Sequence, residues 1–141
     1  MGKGQRRIGL FGGSFDPIHI GHLILGQDIL ETSRVDELWY LPAGDTPLRA
    51  NGTEAAPDHR LAMTRIACAD RASIGVLDTE IRREGKSYTV DTLETLKADH
   101  PEAEFWWILG TDRFAGLSQW KDPERLMAST GFLVLKRPGH A

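Results

Sequence analysis

Two histidines three residues apart, His19 and His22, close the run Gly12-Gly13-Ser14-Phe15-Asp16-Pro17-Ile18-His19-Ile20-Gly21-His22. If both lie on the first turn of a helix, their imidazoles share one face and can touch the same anion. A glycine turn lets backbone come close to a ligand. A helix N-terminus adds unpaired N–H groups and the positive end of a dipole, which suit a phosphate. Gly21, between the histidines, keeps that face low enough for a phosphate to rest against the main chain. A glycine turn alone is weak evidence, and a lone histidine more often caps a helix or packs locally. Both histidines at this spacing, directly after such a turn, point to phosphate chemistry.

The turn has to be held by a strand before it and a helix after it. The apolar run Ile8–Phe11 precedes it, and a helix-like run from Leu23 to about Leu30 follows, interrupted only by Gly26. Four further runs read as strands: Leu38–Leu41, Ile74–Leu77, Phe105–Leu109 and Phe132–Leu135. They are nearly continuous in apolar residues rather than alternating, which suits parallel strands covered on both faces. Helical segments lie between them. Pro57 to Asp70 has a proline suited to its start and a stripe of Ala62, Ile66 and Ala69. Thr89 to Asp99 has Thr89 as N-cap, Asp91 in its first turn and Val90, Leu93 and Leu96 as the buried face. Pro123 to Ala128 is a short fourth segment. Strand and helix alternate throughout, so the expected fold is α/β: a doubly wound, Rossmann-like, five-stranded parallel sheet with helices on both faces. Ligands in such sheets bind beyond the carboxyl ends of the strands, where the strand order reverses.

Length and composition fit one domain across residues 1–141. The formal charge of −3 gives no basic field for nucleic acid. No apolar run is long enough to span a membrane. The basic N-terminus lacks a signal-peptide core, and Arg6 breaks a myristoylation pattern. Cys68 is the sole cysteine, so no internal disulfide can form, and it reads as a packing residue. These features fit a cytoplasmic protein.

The loops after the strands carry the remaining candidates. Pro42-Ala43-Gly44-Asp45-Thr46-Pro47-Leu48-Arg49 is stiffened by prolines, and Thr46 and Arg49 could hold a phosphate, although a solvated arginine on a rigid turn is the plainer reading. Glu80, Arg82 and Arg83 read as an exposed charged edge. Ser87 and Thr89 can cap a helix, bond a ligand carboxylate, or do both. In Gly110-Thr111-Asp112 the carboxylate can accept from two ribose hydroxyls or cap the next helix. Trp120 offers a flat face to an aromatic ring or packs in the core. Arg137, in Lys136-Arg137-Pro138-Gly139, suits a nucleotide phosphate or forms a solvated turn.

Gly13-Ser14-Phe15-Asp16-Pro17 leading into His19-Ile20-Gly21-His22 resembles the nucleotidyltransferase signature, and the last four letters also match class I aminoacyl-tRNA synthetases. The loop ending in Arg49, Ser87-Tyr88-Thr89, Thr92-Leu93, Gly110-x-Asp112, Trp120 and Arg137-Pro138-Gly139 narrow the resemblance, in order and spacing, to bacterial nicotinate mononucleotide adenylyltransferases. Phosphopantetheine adenylyltransferases are similar only at Gly12–His22. Cytidylyltransferases share the histidines but not the later motifs.

The resemblance implies that nicotinate mononucleotide attacks the α-phosphorus of ATP and pyrophosphate leaves, as a step of NAD biosynthesis. His19 and His22 would be catalytic. Gly12, Gly13, Ser14, Phe15, Gly21, Gly110, Asp112 and Arg137 would line the ATP site. Thr46, Arg49, Thr89 and Trp120 would hold the mononucleotide. Mg2+ would arrive with ATP, and Asp16 would order the turn. The family continues past its RPG turn to a Ser/Thr-rich segment ending in arginine, whereas this sequence stops at Ala141. The expectation is a truncated form, prone to self-association through an uncovered sheet face. Its alternatives are a nucleotide-binding domain with weak or no catalysis, or an adenylyltransferase for nicotinamide mononucleotide or phosphopantetheine.

Overall fold

A computed structural model describes residues 6–13, 15, 18, 20–33, 35–44, 56–69, 71–83 and 88–135. Its elements in chain order are β1 (Arg6–Gly13), α1 (Ile20–Thr32), β2 (Glu37–Pro42), α2 (Pro57–Cys68), β3 (Ile74–Val76), α3 (Thr79–Arg82), α4 (Thr89–Asp99), β4 (Ala103–Gly110), α5 (Thr111–Ala115), α6 (Pro123–Ser129) and β5 (Gly131–Leu135). A 3-10 turn, Leu117–Gln119, lies between α5 and α6.

The strands form one parallel sheet in the order β3-β2-β1-β4-β5. β1 lies at its centre, with Leu10 opposite both Trp39 of β2 and Trp107 of β4. Successive residues point to opposite faces, so each inner strand feeds two cores. Ile8, Leu10, Trp39, Leu41, Phe105, Trp107 and Leu109 meet Val90, Leu93 and Leu96 of α4 and Leu126 of α6 on one face. Leu38, Tyr40 and Ile108 meet Phe15, Ile29 of α1 and Cys68 of α2 on the other. This two-sided burial is why the strands read as unbroken apolar runs.

The expected strands and three of the four expected helices match within a few residues, and α4 spans Thr89–Asp99 as expected. Thr89 is not the cap, however. It is the first helical residue, Tyr88 holds the cap position with extended backbone, and no side chain caps that end. α2 is turned relative to its expected stripe. Ala62 and Ala69 are exposed, and Ile66 is 77% exposed. Arg60, Leu61, Thr64 and Cys68 face inward instead. Polar residues tolerate that position because Thr64 Oγ1 donates to the Arg60 carbonyl at 2.8 Å. Cys68 is buried, in agreement with a packing role. Among the described residues, no helix is long and apolar enough to cross a membrane.

Leu93 has no exposed surface. Leu93→Ala should therefore lower unfolding free energy by about 2–5 kcal/mol, measured by urea denaturation. A loss well under ~1 kcal/mol would contradict close packing of α4 on the sheet.

Candidate active site at the carboxyl edge of the sheet

All five strands run the same way, so Gly13, Pro42, Val76, Gly110 and Leu135 end at one edge. The strand order reverses between β1 and β4. The segments leaving β1 and β4 cross to opposite faces and leave a crevice there, the usual ligand position in an open α/β sheet.

β1 ends at Gly13, where Ala43 N donates to the Gly13 carbonyl at 2.8 Å and fixes the strand end against the loop after β2. Phe15 then takes φ 47°, a left-handed conformation unusual for a bulky residue. Burial holds it there. Phe15 is 3% exposed, and its ring lies edge-on to Phe11, His22 and Tyr40 at 5.9, 5.0 and 5.4 Å. α1 starts at Ile20. Among the described residues, the first turn of α1 carries no acidic side chain, and it holds the positive end of the helix dipole. Gly21 is exposed and His22 half-buried, with the His22 ring perpendicular to Phe15. The Tyr40 hydroxyl donates to the His22 carbonyl at 2.7 Å. These features place the His22 imidazole beside a helix N-terminus, an arrangement that could receive an anion.

Across the crevice, β4 ends at Gly110, which occupies the cap position of α5. No side chain caps α5, so Asp112 does not serve as its cap and instead lies exposed in the first turn. Trp120 is half-buried against the α4 core, with the Arg113 guanidinium 5.3 Å from its ring centroid. Its neighbour Lys121 sits 4.9 Å from the Tyr88 ring and pairs with Asp91 at 3.1 Å. These contacts draw Trp120 towards the N-terminal turn of α4, where Thr89 is half-buried. The structure thus gathers Gly12, Gly13, Phe15, Gly21 and His22 on one side and Gly110, Asp112, Thr89 and Trp120 on the other. Ser14, His19, Thr46, Arg49 and Arg137, together with Asp16, lie outside the described residues.

Two charged residues behind this edge were not legible in the sequence. Glu80 is not part of an exposed rim. Its carboxylate accepts from Thr92 Oγ1 at 2.9 Å, and burial is the main force pushing its pKa upward, against the Thr92 bond and the Arg83 charge. Arg60 has no exposed surface, and its Nη2 donates to the Gly44 carbonyl at 3.4 Å. Gly44 in turn lies so close to the Glu80 carbonyl that a side chain there would press on it. The links tie α2, the loop after β2, α3 and the first turns of α4 together. No spacing rule marks Glu80 or Arg60 for burial. A shallow hollow of about 300 Å³ lies elsewhere, lined by Ile20, Leu23, Ile24, Gln27, Asp28, Glu31 and Arg71 along the outside of α1.

A family profile described as cytidylyltransferase-like matches residues 10–140. A relative from Halalkalibacterium halodurans, named a probable nicotinate-nucleotide adenylyltransferase, is 42% identical over 96% of this chain and 66% of its own length. One of the same name from Opitutus terrae is 41% identical over 94% of this chain and 68% of its own. The chain thus spans about two thirds of the length of these curated relatives. Among solved structures, the Plasmodium falciparum nicotinic acid mononucleotide adenylyltransferase complexed with APC superposes with a TM-score of 0.77. The two are 27% identical, over 97% of this chain and 67% of that one. A putative nicotinate-nucleotide adenylyltransferase from Vibrio parahaemolyticus shares the fold at a TM-score of 0.78 and 16% identity, over 97% of this chain and 81% of that one.

The buried carboxyl of Glu80 makes a signed prediction. Its pKa is raised in the folded chain, so its contribution to stability is complete below the ordinary glutamate value and is lost as pH rises through the folded value. Glu80→Gln keeps an acceptor for Thr92 without a charge. Urea denaturation should show the variant gaining on the wild type as pH climbs from the acidic range towards neutrality. A constant or shrinking difference would contradict the burial of this carboxylate.

Proposed function

This chain belongs to the cytidylyltransferase-like family, and on that premise we propose that it transfers the adenylyl group of ATP to nicotinate mononucleotide. A phosphate oxygen of the mononucleotide forms a bond to the α-phosphorus, the bond from that phosphorus to the bridging oxygen breaks, and pyrophosphate leaves with the electron pair. The products are nicotinate adenine dinucleotide and pyrophosphate. What supports this reading is that the α1 N-terminal turn, bearing His22 and no acidic side chain, and the Gly110–Asp112 turn follow the two strands between which the strand order reverses. The names of the relatives and of the solved neighbours, one of them complexed with NaAD, point the same way.

No covalent intermediate is needed. Catalysis comes from aligning the two phosphates and stabilising the negative charge that grows between them. His22 donates to the reacting phosphates, helped by the N–H groups of the first turn of α1 and by the backbone near Gly12 and Gly13. Asp112 accepts from the adenosine ribose hydroxyls. Trp120, steadied by Arg113, gives the pyridine ring a flat surface, and Thr89 meets its carboxylate at the start of α4. By family resemblance, His19, Ser14 and Arg137 complete the ATP side, and Thr46 and Arg49 hold the mononucleotide phosphate. The donors at this edge, an imidazole, backbone N–H groups and one aspartate, suit phosphate and ribose better than an oxygen cage for Mg2+. Magnesium would instead arrive with ATP and supply charge neutralisation there. The cytoplasm, with its nucleotide pools, is the proposed compartment. Half-buried Phe132, Leu133 and Leu135 on β5, with Val134 exposed, leave apolar surface that supports self-association.

Pyrophosphate release from ATP, Mg2+ and nicotinate mononucleotide tests the reading. His22→Ala should lower kcat about 10²–10³-fold, the loss typical of removing one charge-stabilising donor, while KM for either substrate changes little. ATP binding by the wild type with no pyrophosphate release would reassign the chain as a nucleotide-binding domain.

A further inference from the structure

Tyr40 holds its hydroxyl group where core packing alone does not require one. The residue has no exposed surface and stands in the middle of β2, two residues before the strand end. Its oxygen crosses the gap to α1 and donates to the His22 carbonyl at 2.7 Å. In a helix that carbonyl normally accepts from the N–H of residue 26, so the phenol takes its second lone pair. Residue 26 is glycine and buried. A methyl group there would overlap the Tyr40 oxygen and crowd Leu38 Cδ2 at 2.7 Å. Glycine is a poor helix former, yet here its missing side chain is the passage through which the hydroxyl reaches the helix.

Tyr40 also acts on His22 through ring contacts. Phe11 stacks on Tyr40 with centroids 5.4 Å apart, and Phe15 meets Tyr40 edge-on at the same distance. Phe15 then meets the His22 ring at 5.0 Å and 87°. Phe11 meets the same ring at 6.4 Å and 83°, so Tyr40 holds the His22 backbone directly and supports both rings that pack on its imidazole. Burial pushes the Tyr40 phenol far above its ordinary pKa, so it remains a donor throughout any working range.

We propose that Tyr40, admitted by Gly26, is a positioning residue that sets the His22 imidazole over the reacting phosphates. The inference rests on the phosphate role of His22 proposed above. Its consequence is an interlock: residues 26 and 40 cannot be changed independently.

Four variants test it by steady-state pyrophosphate release, with thermal unfolding and the His22 ring-proton NMR shift measured in parallel. Tyr40→Phe should lower kcat about three- to tenfold, the scale of one net hydrogen bond, with both KM values nearly unchanged and the His22 shift displaced. Gly26→Ala should lower kcat by more than about tenfold, because its methyl group displaces the hydroxyl. The double variant Gly26→Ala/Tyr40→Phe should recover part of the kcat that Gly26→Ala loses, since the overlap with the hydroxyl is gone while the crowding of Leu38 Cδ2 remains. A side chain that only fills the core would alter the melting temperature of Tyr40→Phe and leave its kcat and the His22 shift alone, which would overturn the proposal. A double variant no better than Gly26→Ala would overturn it equally. His22→Ala separates the two layers. If it keeps full kcat, the phosphate role and the positioning claim both fall. If it loses kcat while the variants at positions 26 and 40 do not, only the positioning claim falls.

Discussion

β1 is hydrogen-bonded on both sides, to β2 over Ile8–Gly13 and to β4 over Arg6–Phe11. Everything at the site depends on that double pairing. It fixes the height at which the glycine turn emerges and makes β1 the strand at which the winding reverses. α1 and α2 therefore cover one face and α4 and α6 the other, with the switch in winding falling between β1 and β4. A ligand entering there meets two short turns and a helix N-terminus, all rooted in the most buried strands of the fold.

The turn after β1 stores local strain. A phenylalanine at positive φ costs on the order of 1–3 kcal/mol, and it is held by aromatic contacts on three sides. Beyond it, α1 packs against β2. The same packing touches His22 through its ring and through its carbonyl, so core and site share one set of contacts. On the far side, the charged links among Arg60, Gly44, Glu80 and Thr92 give the outer loops a comparable anchor. A preorganised edge of this kind is what alignment-driven phosphoryl chemistry requires.

Much of the architecture is legible in the sequence because parallel strands buried on both faces leave apolar runs that few other structures produce. Ile8–Phe11 and Phe105–Leu109 are examples, and the structure extends each only at its ends. The face of α2 is not legible. A stripe of alanines and an isoleucine looks apolar, but the helix turns Arg60 and Thr64 inward, where hydrogen bonds satisfy them. Thr89 misleads by one residue, since an extended Tyr88 holds the cap position before the helix. Glu80 misleads because Arg82 beside it is exposed and pairs with Asp78, while its own carboxylate folds back onto Thr92. Gly26 reads as a weak point in a helix, and only the position of Tyr40 gives it a reason. At the site, the glycines, His22, Asp112, Thr89 and Trp120 were marked by motif and loop position, and each described one lies at or just after a strand's carboxyl end or on an element that follows it. Glu80 and Tyr40 act through partners remote in sequence, which no local pattern exposes.

The central claim is that the turn after β1 and the first turn of α1 form a seat for polyphosphate. Backbone amide shifts during titration with a non-hydrolysable ATP analogue and Mg2+ test it most directly. The account predicts that the largest changes fall on Gly12, Gly13, Gly21 and His22, with a second group from Gly110 to Asp112. Changes centred instead on Gln27, Glu31 and Arg71, along the outer hollow of α1, would contradict it.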